Sequence, residues 1–370
     1  MSVRREGRPP FRADHVGSLL RPQILRKAFR GHAANEIGDD EFQRIQDDCI
    51  RAAVRMQEDI GLEVATDGEF RRGSYWGRFV ERTAGLEVRP ALLKFRDDRG
   101  DEVGFTAPYA TATIRRTHPL AVDEFVFLRA VTAVTPKMTL PAPSTMHFLR
   151  FSDFADEAAY GDVDRFFADL VGVFRQEIAD LVAAGCRYLQ IDEIACALLC
   201  DPTIRDRIAV AGCDPDALVE RYIDSINGAL AGCSGDVVSG IHMCRGNFRG
   251  RHLADGGYEW VAERFFTRVD ANHFLLEFDT SRAGDFAPLR FVPKGKGVML
   301  GLISSKTPAL ETIDGLQRRV DEATKYVSLE QLAISPQCGF ASSAGGNPLT
   351  EADERSKLQL AVDAARRIWR

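Results

Sequence analysis

The sequence has no run of the roughly 18 apolar residues that a membrane-crossing helix needs, so no transmembrane helix is expected. It also lacks a basic excess. Lys and Arg number 48 against 54 Asp and Glu, a net charge of −6 with no clustered basic block. That argues against nucleic acid as the main partner, which calls for a concentrated basic face. The opening residues, Met1–Glu6, carry no apolar core, so no secretory leader is expected and the chain is placed in the cytoplasm. Internal repeats and low-complexity linkers are missing as well. Eight cysteines in 370 residues are too sparse for a disulfide framework. Cys186, Cys196 and Cys200 stand at core-like positions and read as small buried hydrophobes in a reducing compartment.

What is present is an ordinary globular balance, 45% hydrophobic and 28% charged. The length suits one large α/β barrel or two medium domains. Eight short apolar runs each end in polar, chemically useful residues: 15–18 (HVGS), 62–69 (LEVATDGE), 137–144 (KMTLPAPS), 186–193 (CRYLQIDE), 236–244 (DVVSGIHMC), 273–281 (HFLLEFDTS), 297–305 (GVMLGLISS) and 332–339 (LAISPQCG). Near-continuous apolar runs suit parallel strands buried on both faces. Segments of helical periodicity lie between them, at 40–61, 163–185, 214–230, 309–327 and 351–370, the first two stopping at glycine. The alternation predicts an α/β fold, a (β/α)8 TIM barrel, as a single domain over 1–370. Residues 76–130 are long and mixed, and read as an insertion after the second strand, a hairpin arm or lid.

In such a barrel the chemistry sits at the C-terminal strand ends. Those ends carry Gly17, Ser18, Asp67, Glu69, Ser144, Asp192, Glu193, His242, Cys244, Glu277, Asp279, Ser304 and Cys338. In a strand, His242 and Cys244 are two apart and aim to one side. With Cys338 and Asp279 they make a tetrahedral zinc site plausible, and an incoming thiol could replace the carboxylate. The bland alternative is two buried thiols and a histidine bonded to a carbonyl. His15 and His147 lie near strand ends, where either could donate a proton or simply pack. Arg71, Arg72, Arg245 and Lys306 could hold an anionic tail, and Trp76 could shape a pocket.

The motifs HVGS, DGE, QIDE, HMC, DTSR and PQCG fall in the order seen in the catalytic domain of cobalamin-independent methionine synthase, which the chain resembles from about Arg12 into its last helix. The resemblance implies Zn2+ held by His242, Cys244 and Cys338, with Asp279 in the place of the family's usual glutamate and Glu277 as fallback. It implies that Val16, Gly17 and Ser18 hold an amino-acid substrate, and that Glu69 and Asp192, with Glu193 beside them, clamp its ammonium group. His15 and Asp192 are the expected catalytic groups. The expected reaction is transfer of an alkyl group, methyl first, to a small thiol such as homocysteine, the zinc-held thiolate being the nucleophile. One departure stands out. The region after the seventh strand reads GLISSKTP, without the histidine that the synthase carries there, which puts folate in doubt as donor. The chain is similar to short single-barrel relatives, among them the epoxyalkane–coenzyme M transferases. An epoxide-opening thiol transferase or lyase and a non-catalytic barrel are therefore the alternatives. The expected partners are a small thiol and an alkyl donor, with no nucleic acid and no membrane; homo-oligomer formation stays open.

Overall fold

The computed structural model describes residues 6–233 and 235–369. The leader-free reading of residues 1–5 and the final residue of the predicted last helix fall outside that range. Six strands form one parallel sheet, in the order Leu332–Pro336, Gly297–Ile303, His273–Glu277, Val238–Met243, Tyr188–Asp192, Met138–Pro141. Every residue of these strands is buried, as expected of a sheet covered on both faces. A further parallel pair joins Val64–Ala65 to Thr135–Pro136, and Lys137 N–H continues it by donating to Ala65 at 2.9 Å. At the other edge Ala13 bridges to Ile334 in parallel, and Leu19 N–H donates to the Gly68 carbonyl at 3.1 Å. The segment from Arg12 to Leu19 thus links the last strand to the Val64–Ala65 strand.

The helices form where their end signals say they should. Asp162, Asp201 and Asp214 each cap a helix by accepting from a backbone N–H two residues on, and proline opens the two helices Pro202–Val210 and Pro215–Leu230. Thr350 and Asp353 form a capping box at the start of Glu351–Ile368. Gly61 and Gly185 stand at φ of 88° and 97° just past two helices, a conformation only glycine takes cheaply. Sequence periodicity misses the helix Glu259–Arg268, which is only ten residues long. No helix among the described residues is long and apolar enough to cross a membrane.

Residues 76–130 form an antiparallel ribbon, Thr83–Pro90 against Thr106–Arg116, a small pair Phe95–Arg96 with Glu102–Val103, and the helices Gly77–Glu81 and Val122–Val131. Arg96 pairs with His252 in both directions, at 2.8 and 3.0 Å, so the ribbon tip is fastened to the loop that follows Val238–Met243.

Three histidines are sealed inside. Burial, with Lys137 nearby, pushes His15 down to about 4; burial pushes His147 and His273 to about 3. Each stays neutral in the folded chain but takes a proton when unfolded, below its ordinary value near 6.5. Their contribution is whole above that pH and is lost as the pH falls toward 3–4, by up to about 4 kcal/mol per pH unit while all three titrate only in the unfolded chain. Urea unfolding of metal-free protein at a series of pH values checks this, and His147→Leu should make the decline shallower.

Candidate metal centre and substrate cavity

The strand Val238–Met243 ends by carrying His242 and Cys244 to the rim. The loop after Leu332–Pro336 brings Cys338 to meet them. One ligand atom from each of the three lies within 4.8 Å of the others, and all three residues are buried. The two sulfurs are 3.7 Å apart and unbonded. Two thiolates on one tetrahedral zinc, each about 2.3 Å from it, would also stand about 3.7 Å apart. His242 Nδ1 faces the Leu275 carbonyl at 3.2 Å, which assigns the proton to that nitrogen. Its Nε2 is then the buried lone pair, with no well-formed hydrogen bond and with Cys338 beside it. The donor set fits a zinc ion. Hydrogen bonding to Cys244, with His242 beside it, pulls the Cys338 thiol well down, while the same bond pushes Cys244 up. The pair therefore gives up one proton readily. His242 is raised, because Cys338, Asp192 and Glu277 outweigh its burial.

Asp279 stands outside the three-residue cluster. Both its oxygens are buried without a well-formed hydrogen bond; burial raises it, against the pull of Lys306. Glu277 is already engaged: it accepts from Arg245 N–H at 2.6 Å and pairs with Lys306 at 3.1 Å. Those partners overcome burial and hold it at about 2. Of the two carboxylates, Asp279 is the less engaged, with Ser304 and Lys306 near it.

Beside the thiols opens a cavity of about 720 Å3 that reaches from the strand ends to the ribbon. Val16, Ser18, Glu69, Asp192, His242, Cys244 and Cys338 all line it. Gly17 sits at φ 140° against Thr139; a Cβ there would come within 2.7 Å of the Thr139 methyl. A Cβ on Gly339 would fall 2.0 Å from Ser18 Oγ, so the Val16–Ser18 segment and the Cys338 loop are in direct contact. Glu69 is held in the left-handed region, φ 60°, which costs a non-glycine residue energy and is common at working sites. Its Oε1 accepts from Thr139 at 2.7 Å, while Oε2 has no partner. Asp192 accepts from Gln190 at 2.7 Å; burial, with Glu69 adding to it, lifts Asp192 to about 7 even though His242 opposes.

Four predicted residues do not line the cavity: Gly17, which packs against Thr139, Asp279, and the two that turn away, His15 and Glu193. His15 turns away and shares a hydrogen bond of 2.8 Å with Gln57. Glu193 is consumed by the protein: it accepts from Ser144 and, at 2.8 Å, from Cys196 N–H, and so braces the turn after Tyr188–Asp192. The other candidates are also spent. His147 pairs with the Tyr222 hydroxyl at 2.9 Å among phenylalanines. Arg71 is tied to Asp47, Arg72 to Glu124, and Arg245 to the Gly256 carbonyl over the Tyr258 ring. Trp76 does line the cavity. So does Tyr75, which sequence reasoning passed over. Its hydroxyl is buried with no well-formed hydrogen bond, Thr145 being its neighbour, and burial, with Cys244 and Asp192 near, pushes it far above the usual phenol range. In sequence, Tyr75 cannot be told from a packing aromatic.

This fold and donor set define an α/β protein with a buried His–Cys–Cys cluster able to hold a metal ion, beside a cavity of about 720 Å3. The family model for the catalytic domain of cobalamin-independent synthase matches residues 12–367, and the chain belongs to that family. It is 37% identical to the uncharacterized protein YxjH of Bacillus subtilis, over 99% of this chain and 97% of that one. It is 24% identical to methionine synthase of Pyrococcus abyssi, over 88% and 85% of the two chains. Among solved structures, a candidate vitamin-B12 independent methionine synthase from Listeria monocytogenes matches with a TM-score of 0.76 at 30% identity, covering 97% of this chain and 98% of that one.

Proposed function

We propose that the protein is a zinc-dependent thiol alkyltransferase that places a methyl group on homocysteine or a close analogue. The arrangement of His242, Cys244 and Cys338, with a buried Nε2 lone pair and two thiols spaced as zinc ligands, is the observation that carries this reading. The fold is read as one closed (β/α)8 barrel with the ribbon inserted after the second strand, working in the cytoplasm on small molecules. Asp279 serves as the fourth donor in the resting site. A zinc ion bound there supplies the positive charge that removes the proton from a substrate thiol at neutral pH, whose own value is near 8.5.

The chain's own residues do the rest. Glu69 and Asp192 face the cavity as two carboxylates for one ammonium group, which fixes the amino-acid end of the substrate. Val16 and Ser18 form the wall beside the Cys338 loop, so a substrate held by its amino-acid end places its sulfur at the thiols. The buried Tyr75 hydroxyl donates toward this end. Tyr75→Phe should weaken homocysteine binding about tenfold, the worth of one buried hydrogen bond, and a binding isotherm checks it.

Calorimetry of homocysteine binding in two buffers of different ionisation enthalpy tests the reading. The expected result at pH 7 is release of about one proton per homocysteine bound, since a mostly protonated thiol binds as thiolate. Binding without proton release contradicts it.

A further inference from the structure

Beyond the amino-acid pocket, the cavity has a second half whose composition is unusual. Tyr75, Trp76, Phe95, Phe105 and Phe248 line it, together with aliphatic side chains from the ribbon. Phe95 is the centre of a continuous aromatic wall, 4.7 Å from Phe105 and 5.2 Å from Phe248, ring centroid to ring centroid. The wall reaches the metal centre: a Cβ on Gly246, two residues past Cys244, would stand 2.9 Å from the Phe95 ring. Among the described residues that line the whole cavity, the charged side chains are Glu69, Glu81 and Asp192, and no lysine or arginine is present. Glu69 brings a second feature, a carboxylate oxygen without a partner on a side chain only 2% exposed. Of the nearby cations, Lys306 pairs with Glu277, and Arg72 pairs with Glu124 at 2.8 Å and stands 3.6 Å from Glu69 Oε1, on the side away from the unpartnered Oε2; neither cation lines the cavity. The one lining histidine, His242, belongs to the metal centre.

Resting on the function proposed above, we propose that the methyl donor is a methylated sulfonium cation seated against the Phe95–Phe105–Phe248 wall. Aromatic faces attract onium groups, and a cavity lined by carboxylates and by no lysine or arginine favours a positive ligand over an anionic one. The substrate thiolate forms a new carbon–sulfur bond to the methyl carbon. The sulfonium carbon–sulfur bond breaks, and its electron pair stays on the departing sulfur. One negative and one positive reactant become two neutral thioethers, so no proton is needed at the leaving group. A folate amine would require one, and its glutamate tail would require cations.

Two measurements test the donor. With metal-free protein, tetramethylammonium, an unreactive onium, should bind by calorimetry, and Phe95→Leu should weaken it about tenfold; 5-methyltetrahydrofolate should not bind. With zinc-loaded protein and homocysteine, trimethylsulfonium or S-methylmethionine should yield one methionine per methyl donated, at least about 100-fold faster than 5-methyltetrahydrofolate or methylcobalamin, the span of about 3 kcal/mol. Faster turnover with folate or methylcobalamin overturns the inference. So does tetramethylammonium binding that Phe95→Leu leaves unchanged. If homocysteine binds with proton release but neither sulfonium donates, the donor inference alone falls. If homocysteine releases no proton, the proposed function falls and takes the donor with it.

Discussion

Cys338→Ser should leave a folded protein that no longer retains zinc and has lost methyl transfer. Cys338 is one of three side chains that supply the centre, and it is the thiol that gives up its proton most readily. A serine hydroxyl is nearly isosteric but does not ionise at neutral pH, so the site loses both a soft ligand and a negative charge. The loss in metal affinity should exceed the roughly 10–100-fold that removal of an outer-shell partner costs. The Cys338 side chain is buried but small, so near-native circular dichroism with absent zinc is the expected pair of readings. Metal analysis after dialysis, beside a methionine-formation assay, checks it. If Cys338→Ser keeps zinc and activity, the assignment of the centre is wrong.

Glu69→Gln should raise the KM for homocysteine about 100-fold and leave kcat nearly unchanged. The unpartnered oxygen of Glu69 is buried, faces the cavity and shares it with Asp192. Removing one partner of a buried charge pair costs about 2–5 kcal/mol, so a hundredfold lies within that range. A thiol lacking the amino group, such as 4-mercaptobutyrate, should be used equally well by both forms, which separates ammonium binding from a general loss of structure. In the substrate-free protein the change should cost little, because Arg72, 3.6 Å from Glu69, keeps its closer partner Glu124 at 2.8 Å while the repulsion with Asp192 is relieved. Melting temperature without ligand therefore changes little while affinity falls.

Much of the fold is legible because parallel strands buried on both faces leave dense apolar runs. The stretches ending at Asp192, Cys244 and Cys338 show this. Their strands, Tyr188–Asp192, Val238–Met243 and Leu332–Pro336, fall inside the runs and end at the chemical residue or one to two residues before it. The two-residue spacing of His242 and Cys244 tells which way they point, and the structure brings Cys338 to them across the sheet. Period alone does not tell how deep a side chain lies or what it meets. His15 precedes the cavity wall by one residue, and that single step turns it to Gln57. Glu193 follows Asp192 by one residue and turns into the protein, where Ser144 and Cys196 take both its oxygens. The rim cations look free in sequence because Asp47, Glu124 and Glu277, which neutralise Arg71, Arg72 and Lys306, are distant along the chain. The ribbon is harder still. Its aromatics, far in sequence from the Cys244 loop, reach it where Arg96 pairs with His252 and Asp255 and Asp97 pairs with Arg251.

Zinc X-ray absorption of the purified protein, with and without homocysteine, tests the central claim most directly. The account predicts about one zinc per chain with two sulfur neighbours at about 2.3 Å, rising to three when homocysteine is added as an oxygen neighbour is lost. A zinc-free folded protein, or a zinc whose sulfur count ignores homocysteine, would contradict it.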